Sequence, residues 1–386
     1  MNRNTWSPYL LIFTLIFQLS ACSDQGGMAG RSTKMEWAAV QPIQSDLFAR
    51  ADEPREFIFP QDHGAHPNYQ TEWWYFTGNL QAEDEKAFGY QLTFFRRALL
   101  PQDHMAARAS NLAVDQIYMA HFTLTDVSND QFHPFQRLDR GDGKMAGATT
   151  DPYLHIWQED WQVDQMDGKV FHLQAAENGI QIDLTLNDEH GVVLQGENGL
   201  SRKSAVTASY YYSMPRLSTT GTVRVDNDEY QVNGSSWLDH EFSTSALASN
   251  QVGWDWFALH LNDGKDIMLY TIRRADGTND PYSSGSLVWK DQSTIQLSLD
   301  QFRVSPISTW KSPRSGALYP SGWTLSIPSR NIDLTITPLI KDQELDLSFT
   351  YWEGAVGLEG TVNGVSVTGT GYVELTGYAA SMSGLF

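Results

Sequence analysis

Trp73-Trp74-Tyr75-Phe76, followed after a loop by Tyr90-Gln91-Leu92-Thr93-Phe94-Phe95-Arg96-Arg97, recurs in the second half of the chain. There it reads Trp254-Asp255-Trp256-Phe257, a loop at Asn262-Asp263-Gly264, and Met268-Leu269-Tyr270-Thr271-Ile272-Arg273-Arg274. Each copy has the pattern of a hairpin ending in a double arginine. Further out, Phe171-His172-Leu173 and Ile182-Asp183-Leu184-Thr185-Leu186 match Trp323-Thr324-Leu325 and Ile332-Asp333-Leu334-Thr335-Ile336. The last block matches best: Gly221-Thr222-Val223 and Val232 to Asp239 against Gly360-Thr361-Val362 and Val367 to Glu374. Three collinear blocks in one order mark a duplicated domain.

Around these blocks, short alternating or aromatic and β-branched runs stand between Gly, Asn and Asp turn residues, and helical periodicity is scarce. This pattern assigns the chain to the all-β class, as sandwiches or barrels. The expected organisation is a leader over residues 1–22, a polar tether over 23–52, a first β domain over 53–245 and a second over 246–386.

The leader rests on Arg3, an apolar run from Tyr9 to Phe17, and small residues before Cys22. The run is too short to span a bilayer, which needs about 20 apolar residues, and it fits an export signal. Leu19-Ser20-Ala21-Cys22 resembles a lipobox, so Cys22, the only cysteine, is the expected acylation site. Ser23 in place of an aspartate points to the outer membrane, facing the periplasm. With Cys22 acylated, the rest of the chain has no disulfide and no thiolate chemistry. A net charge of −20 from 26 Lys and Arg against 46 Asp and Glu argues against nucleic acid as a partner.

The repeat also supplies an internal baseline. Trp237-Leu238-Asp239-His240-Glu241-Phe242 stands opposite Tyr372-Val373-Glu374-Leu375-Thr376-Gly377, so only the first half has the Asp-His-Glu triple. Strand alternation places Trp237, Asp239 and Glu241 on one face and His240 on the other. An acid or histidine facing a cavity could serve in proton transfer; equally, the triple could be strand-end caps and ion pairs with Arg96 or Arg97. Trp73, Trp74, Tyr75, Trp237, Trp254, Trp256 and Tyr270 are candidates for ligand binding, with core packing as the other role open to such rings. Glu72, which has no acidic counterpart, and His121, which could face a polar part of a cavity, join the ligand-binding candidates. His63 and His66 have a two-residue gap between them but no third ligand of known geometry, so neither a metal nor a cofactor is expected. The common hydrolase, phosphate-loop and dinucleotide motifs are absent.

Tyr69 to Leu80 and Gly234 to Phe242 together resemble the AttH and carotenoid 1,2-hydratase family, and the resemblance covers nearly the whole chain after the leader. It implies two tandem lipocalin-like antiparallel β-barrels. It also implies an acid-catalysed reaction in which an isoprenoid double bond is protonated and water captures the cation. Asp239 and His240 match the family's Asp-His motif. Tyr270 matches its aromatic in the second half, but Thr271 and Ile272 stand where the acid belongs. The leading expectation is therefore an envelope lipoprotein that binds a hydrophobic isoprenoid- or lipid-like molecule, with an ABC transporter permease as its expected partner. The alternative is a hydratase or hydrolase with Asp239 as acid and His240 or Glu241 as its partner.

Overall fold

The computed structural model describes residues 45–101, 115–141, 144–244 and 247–385. The leader, Cys22 and most of the tether lie outside them. Strands and tight turns make up nearly all of the described chain. A 13-stranded antiparallel sheet spans Thr71–Ser243 and a 10-stranded one spans Gln251–Leu375.

Each sheet is built about a seam where its opening strand pairs with its closing strand. In the first, Thr71–Ala82 lies between Ala87–Ala98 and Asp228–Ser243; in the second, Gln251–Leu261 lies between Asp266–Arg274 and Val365–Leu375. The registers agree residue for residue. Phe76 faces Leu92 and Leu238, and Phe257 faces Leu269 and Val373. This equates Asp239 with Glu374 and Tyr75 with Trp256. The double arginines are equivalent by the same register, Arg96 facing Glu72 and Arg273 facing Gly253, and each donates from Nε to a carboxylate of its opening strand, Glu72 and Asp255 respectively.

Side chains from strands far apart along the first sheet meet in one core, among them Trp74, Phe76, Leu92, Phe122, Trp161, Leu173, Leu184 and Leu238, so the sheet curls around them. Phe257, Leu269, Trp323, Leu334, Val356 and Val373 fill the second in the same way. A third cluster joins the two barrels through Tyr75, Tyr211, Trp237, Trp256, Tyr270 and Tyr372. Along the opening strand, Trp74 and Phe76 therefore fill the barrel while Tyr75 faces the other barrel. Both faces are buried.

The repeated glycines have a common steric cause. A Cβ on Gly234 would lie 2.0 Å from the Asn79 carbonyl oxygen, and one on Gly369 would lie 2.0 Å from that of His260. Neither backbone oxygen can move without opening the ladder. Gly234→Ala and Gly369→Ala are each expected to destabilise by about 1–3 kcal/mol in denaturant titrations. Gly168→Ala, with nothing within 4 Å of the added carbon, should stay within about 0.5 kcal/mol of the parent.

Candidate functional site

A cavity of about 800 Å³, counting its open mouth, lies where the two seams face each other. Its wall takes Trp73 and Tyr75 from the first opening strand and Trp254 and Trp256 from the second. Tyr211, Tyr270, Phe95 and Ile272 extend the apolar surface. The Tyr75 ring meets the Trp256 ring edge-on at 5.1 Å between centroids. Three carboxyls, Asp239, Glu241 and Glu374, and one cation, Lys203, break this wall.

Asp239 is 4% exposed. Ser213 Oγ and Trp237 Nε1 donate to its Oδ1 at 2.5 and 2.7 Å, and the Tyr211 hydroxyl donates to Oδ2 at 2.6 Å. The strand carrying Tyr211 and Ser213 keeps register with Asp239 only as far as Met214, where a bulge at Pro215 breaks the ladder. Burial pushes the Asp239 pKa up to about 7, against the opposing pull of its three donors. Its equivalent Glu374 behaves alike. Burial, aided by the nearby charges of Asp239 and Glu241, raises it to about 7, and the Trp254 indole, donating at 2.6 Å, holds it back. Two carboxyls at equivalent positions of the repeat thus sit at one cavity, each able to hold or release a proton near neutrality.

Lys203 Nζ lies 3.0 Å from Glu241 Oε1, 3.1 Å from Ser201 Oγ, and 4.3 Å above the Tyr270 ring. Burial would lower its pKa, but Glu241 and its other neighbours outweigh this and raise it, so Lys203 stays charged.

The residues singled out in the sequence divide between this cavity and other places. Trp73, Tyr75, Asp239, Glu241, Trp254, Trp256 and Tyr270 line it. His240 is on the opposite strand face, inside the first barrel, and cannot partner Asp239. Trp74 is in the barrel core with its ring stacked on His240 at 4.9 Å. Trp237 lies behind Asp239 and orients it. His121 bonds the Tyr351 hydroxyl at 2.7 Å between the barrels rather than facing the cavity. Arg96 pairs with Glu72 instead of the triple.

Glu72 belongs to a second polar group at the end of the first barrel. Its Oε1 accepts from His66 Nδ1 (2.7 Å) and His240 Nε2 (2.8 Å); its Oε2 accepts from Arg96 Nε (2.7 Å) and the His66 amide (2.9 Å). His66 Nε2 reaches Asp62, which also holds Arg55. The sequence offered His66 no third ligand, yet His66, Glu72 and His240 bring donor atoms within 4.8 Å of one another. His63 Nδ1 lies 2.6 Å from the Tyr212 hydroxyl, which also bonds His240 Nδ1 at 3.0 Å, so His63 joins the group only through Tyr212. Protons bridge these donors: two arginines already neutralise the two carboxylates, and a divalent ion would add uncompensated positive charge in a buried place. Burial alone would lower the His66 pKa, but its two carboxylates raise it; burial would raise Glu72, but Arg96 and His66 hold it well below the usual value.

This network fixes the segment before the first strand across the barrel end. Glu72→Gln, which leaves Arg96 and His66 short of a buried countercharge, should cost about 3–5 kcal/mol at pH 6. The raised histidine loses its contribution as pH climbs through its folded pKa, and the lowered glutamate loses its own as pH falls through its folded value. The wild-type advantage should therefore be greatest between pH 4.5 and 6.5, the ordinary values of the two groups, in chemical-denaturation curves. A pH-independent difference would contradict the assignment.

Sequence reasoning missed Glu374 and Lys203 as site residues. Glu374 stands opposite Asp239 in the repeat, and the shared acid is the signal that marks it. Lys203 follows Leu200–Arg202, a short strand outside the repeated blocks, and carried no signal.

Comparison with known proteins agrees with this architecture. The AttH-like family matches residues 50–378. The crystal structure of an AttH protein from Nitrosomonas europaea is 34% identical, covers 86% of this chain and 100% of its own, and superposes with a TM-score of 0.74. Kievitone hydratase of Fusarium solani subsp. phaseoli is 24% identical over 215 residues, 52% of this chain and 58% of the hydratase. The chain thus matches less than two thirds of that relative's length. The kievitone hydratase structure from Nectria haematococca shares the fold at 16% identity and a TM-score of 0.64, covering 86% of this chain and 96% of its own. By its two lipocalin-like barrels and the match along most of its length, the chain belongs to the AttH-like family.

Proposed function

We propose that the cavity between the barrels adds water to an electron-rich double bond of an apolar molecule, by acid–base catalysis. The observation that carries this reading is the pair Asp239 and Glu374, both raised to about 7 and both facing one aromatic cavity. The likeness to kievitone hydratase supports it. A protein that only bound an apolar ligand would gain nothing from two desolvated carboxyls in its wall.

Hydrogen bonding assigns the roles. Both oxygens of Asp239 accept from donors, an arrangement that favours the carboxylate. Glu374 receives the Trp254 indole on Oε2 and is the better proton donor. In this proposal the Glu374 carboxyl gives its proton to one alkene carbon, leaving a cation on the other that the faces of Trp254, Trp256 and Trp73 stabilise. Water attacks that carbon, and Asp239 takes the proton the water loses. Exchange with solvent at the mouth then returns Glu374 to the acid and Asp239 to the carboxylate. This reverses the role expected of Asp239 from its sequence context. Acylation at Cys22 and an envelope location belong to the same proposal.

Asp239→Asn and Glu374→Gln should each lower kcat by about 10²–10⁴, with ligand affinity changed only a few-fold. The kcat/KM profile should be bell-shaped with its maximum near pH 7. Glu374→Gln should remove the alkaline limb from residual activity, because the acid works only while protonated. The same substitutions should raise Tm at pH 8. A carboxyl whose folded pKa is raised contributes stability at low pH and loses it as pH rises through about 7, so its neutral replacement avoids that loss. Unaltered turnover in both variants would sink the reading. If the protein only carries its ligand, wild type should show no turnover and Trp254→Ala should abolish binding, with affinity little changed in both carboxyl variants.

A further inference from the structure

The carboxyls Asp239 and Glu374 are duplicated by the repeat, but the ion pair beside them is not. Glu241 stands opposite Thr376 in the second half, an uncharged residue, so the fold itself does not require a charge at this position. Lys203 and Glu241 nonetheless sit in the wall of a cavity otherwise made largely of rings and aliphatic chains. Removing two charges from water costs several kcal/mol per ion before their attraction is counted. Filling the cavity with a pure hydrocarbon would dehydrate the pair further with nothing offered in return.

The pair has bonding capacity left over. An ammonium carries three N–H groups. Glu241 and Ser201 take two of those on Lys203, and among the described residues no other oxygen or nitrogen takes the third, while Nζ lies in the cavity wall beside the Tyr270 ring. Ser209 and Lys203 both bond Glu241 at Oε1, and among the described residues none bonds its Oε2, which is placed to meet a ligand. A donor and an acceptor side by side on one wall complement a hydroxyl group, which can accept from the ammonium and donate to the carboxylate.

We infer that Lys203 and Glu241 form a hydroxyl-binding subsite, so the substrate class is an apolar molecule that carries an alcohol or phenol besides the double bond. This rests on the hydratase reading of the cavity and narrows it. A hydrocarbon polyene lacks the group that the pair recognises.

The test is equilibrium binding to the full chain, followed by tryptophan fluorescence, with 4-prenylphenol and its methyl ether as probes. Wild type should bind the phenol at least about tenfold more tightly than the ether, since a site built for a hydroxyl penalises its loss. In Lys203→Met the two affinities should come within about twofold of each other. Because that change leaves Glu241 unpaired and could impair folding, Lys203→Met/Glu241→Gln is measured beside it and should show the same loss of preference. Equal affinities in wild type, failure of both probes to bind, or a preference that survives in both variants would overturn the subsite. The readout needs no turnover: a preference that depends on Lys203, in a protein that hydrates neither probe, would refute the hydratase reading and leave the subsite standing.

Discussion

Burial of the seam strands on both faces is the constraint from which the rest of the molecule follows. Where the opening and closing strands of each sheet pair, one face fills its own barrel and the other packs against the equivalent seam of the second barrel. A polar side chain on the outward face of such a strand meets the opposing seam and reaches water only through the cavity mouth. Asp239 and Glu374 are placed there by the same register in each copy, so desolvation acts on both in the same direction. The duplication thereby makes two acids of similar strength from two ordinary carboxyls.

The two faces of the closing strand do different electrostatic work. On the inner face, His240 and Glu72 belong to a network in which every charge meets an opposite charge, and its product is a fixed barrel end. On the outer face, Asp239 and Glu374 have hydrogen-bond donors but, among the described residues, no cation paired with them, and Lys203 pairs with Glu241 instead. A network that satisfies its charges stabilises the fold; carboxyls left without countercharge store free energy that chemistry can use. Neighbouring residues of one Asp-His-Glu triple therefore belong to the barrel-end network and to the cavity wall, separated by the alternation of a strand.

Much of this was legible in the sequence, for physical reasons that also mark where legibility ended. The repeat was readable because register and steric limits act on particular positions: Gly234 and Gly369 recur since a Cβ would strike a carbonyl oxygen in both copies. The opposite facing of Asp239 and His240 followed from period two. The alternation of Trp73, Trp74 and Tyr75 did not reveal which ring served which purpose, because large aromatics are needed on both sides of a doubly buried strand. Trp74 thus passed for a ligand-facing residue while filling the barrel. The group of His66, Glu72 and His240 joins residues far apart along the chain, and sequence spacing carries no trace of such a contact.

The account stands on the claim that both cavity carboxyls hold protons close to neutrality. Its most direct test is a titration of the Asp239 and Glu374 side-chain carboxyl carbons by ¹³C NMR in selectively labelled protein, with Asp239→Asn and Glu374→Gln used to assign the signals. The two groups face one cavity, so they should titrate together, with apparent midpoints near 7. Midpoints below about 5 for both, in the range of ordinary carboxyls, would contradict it.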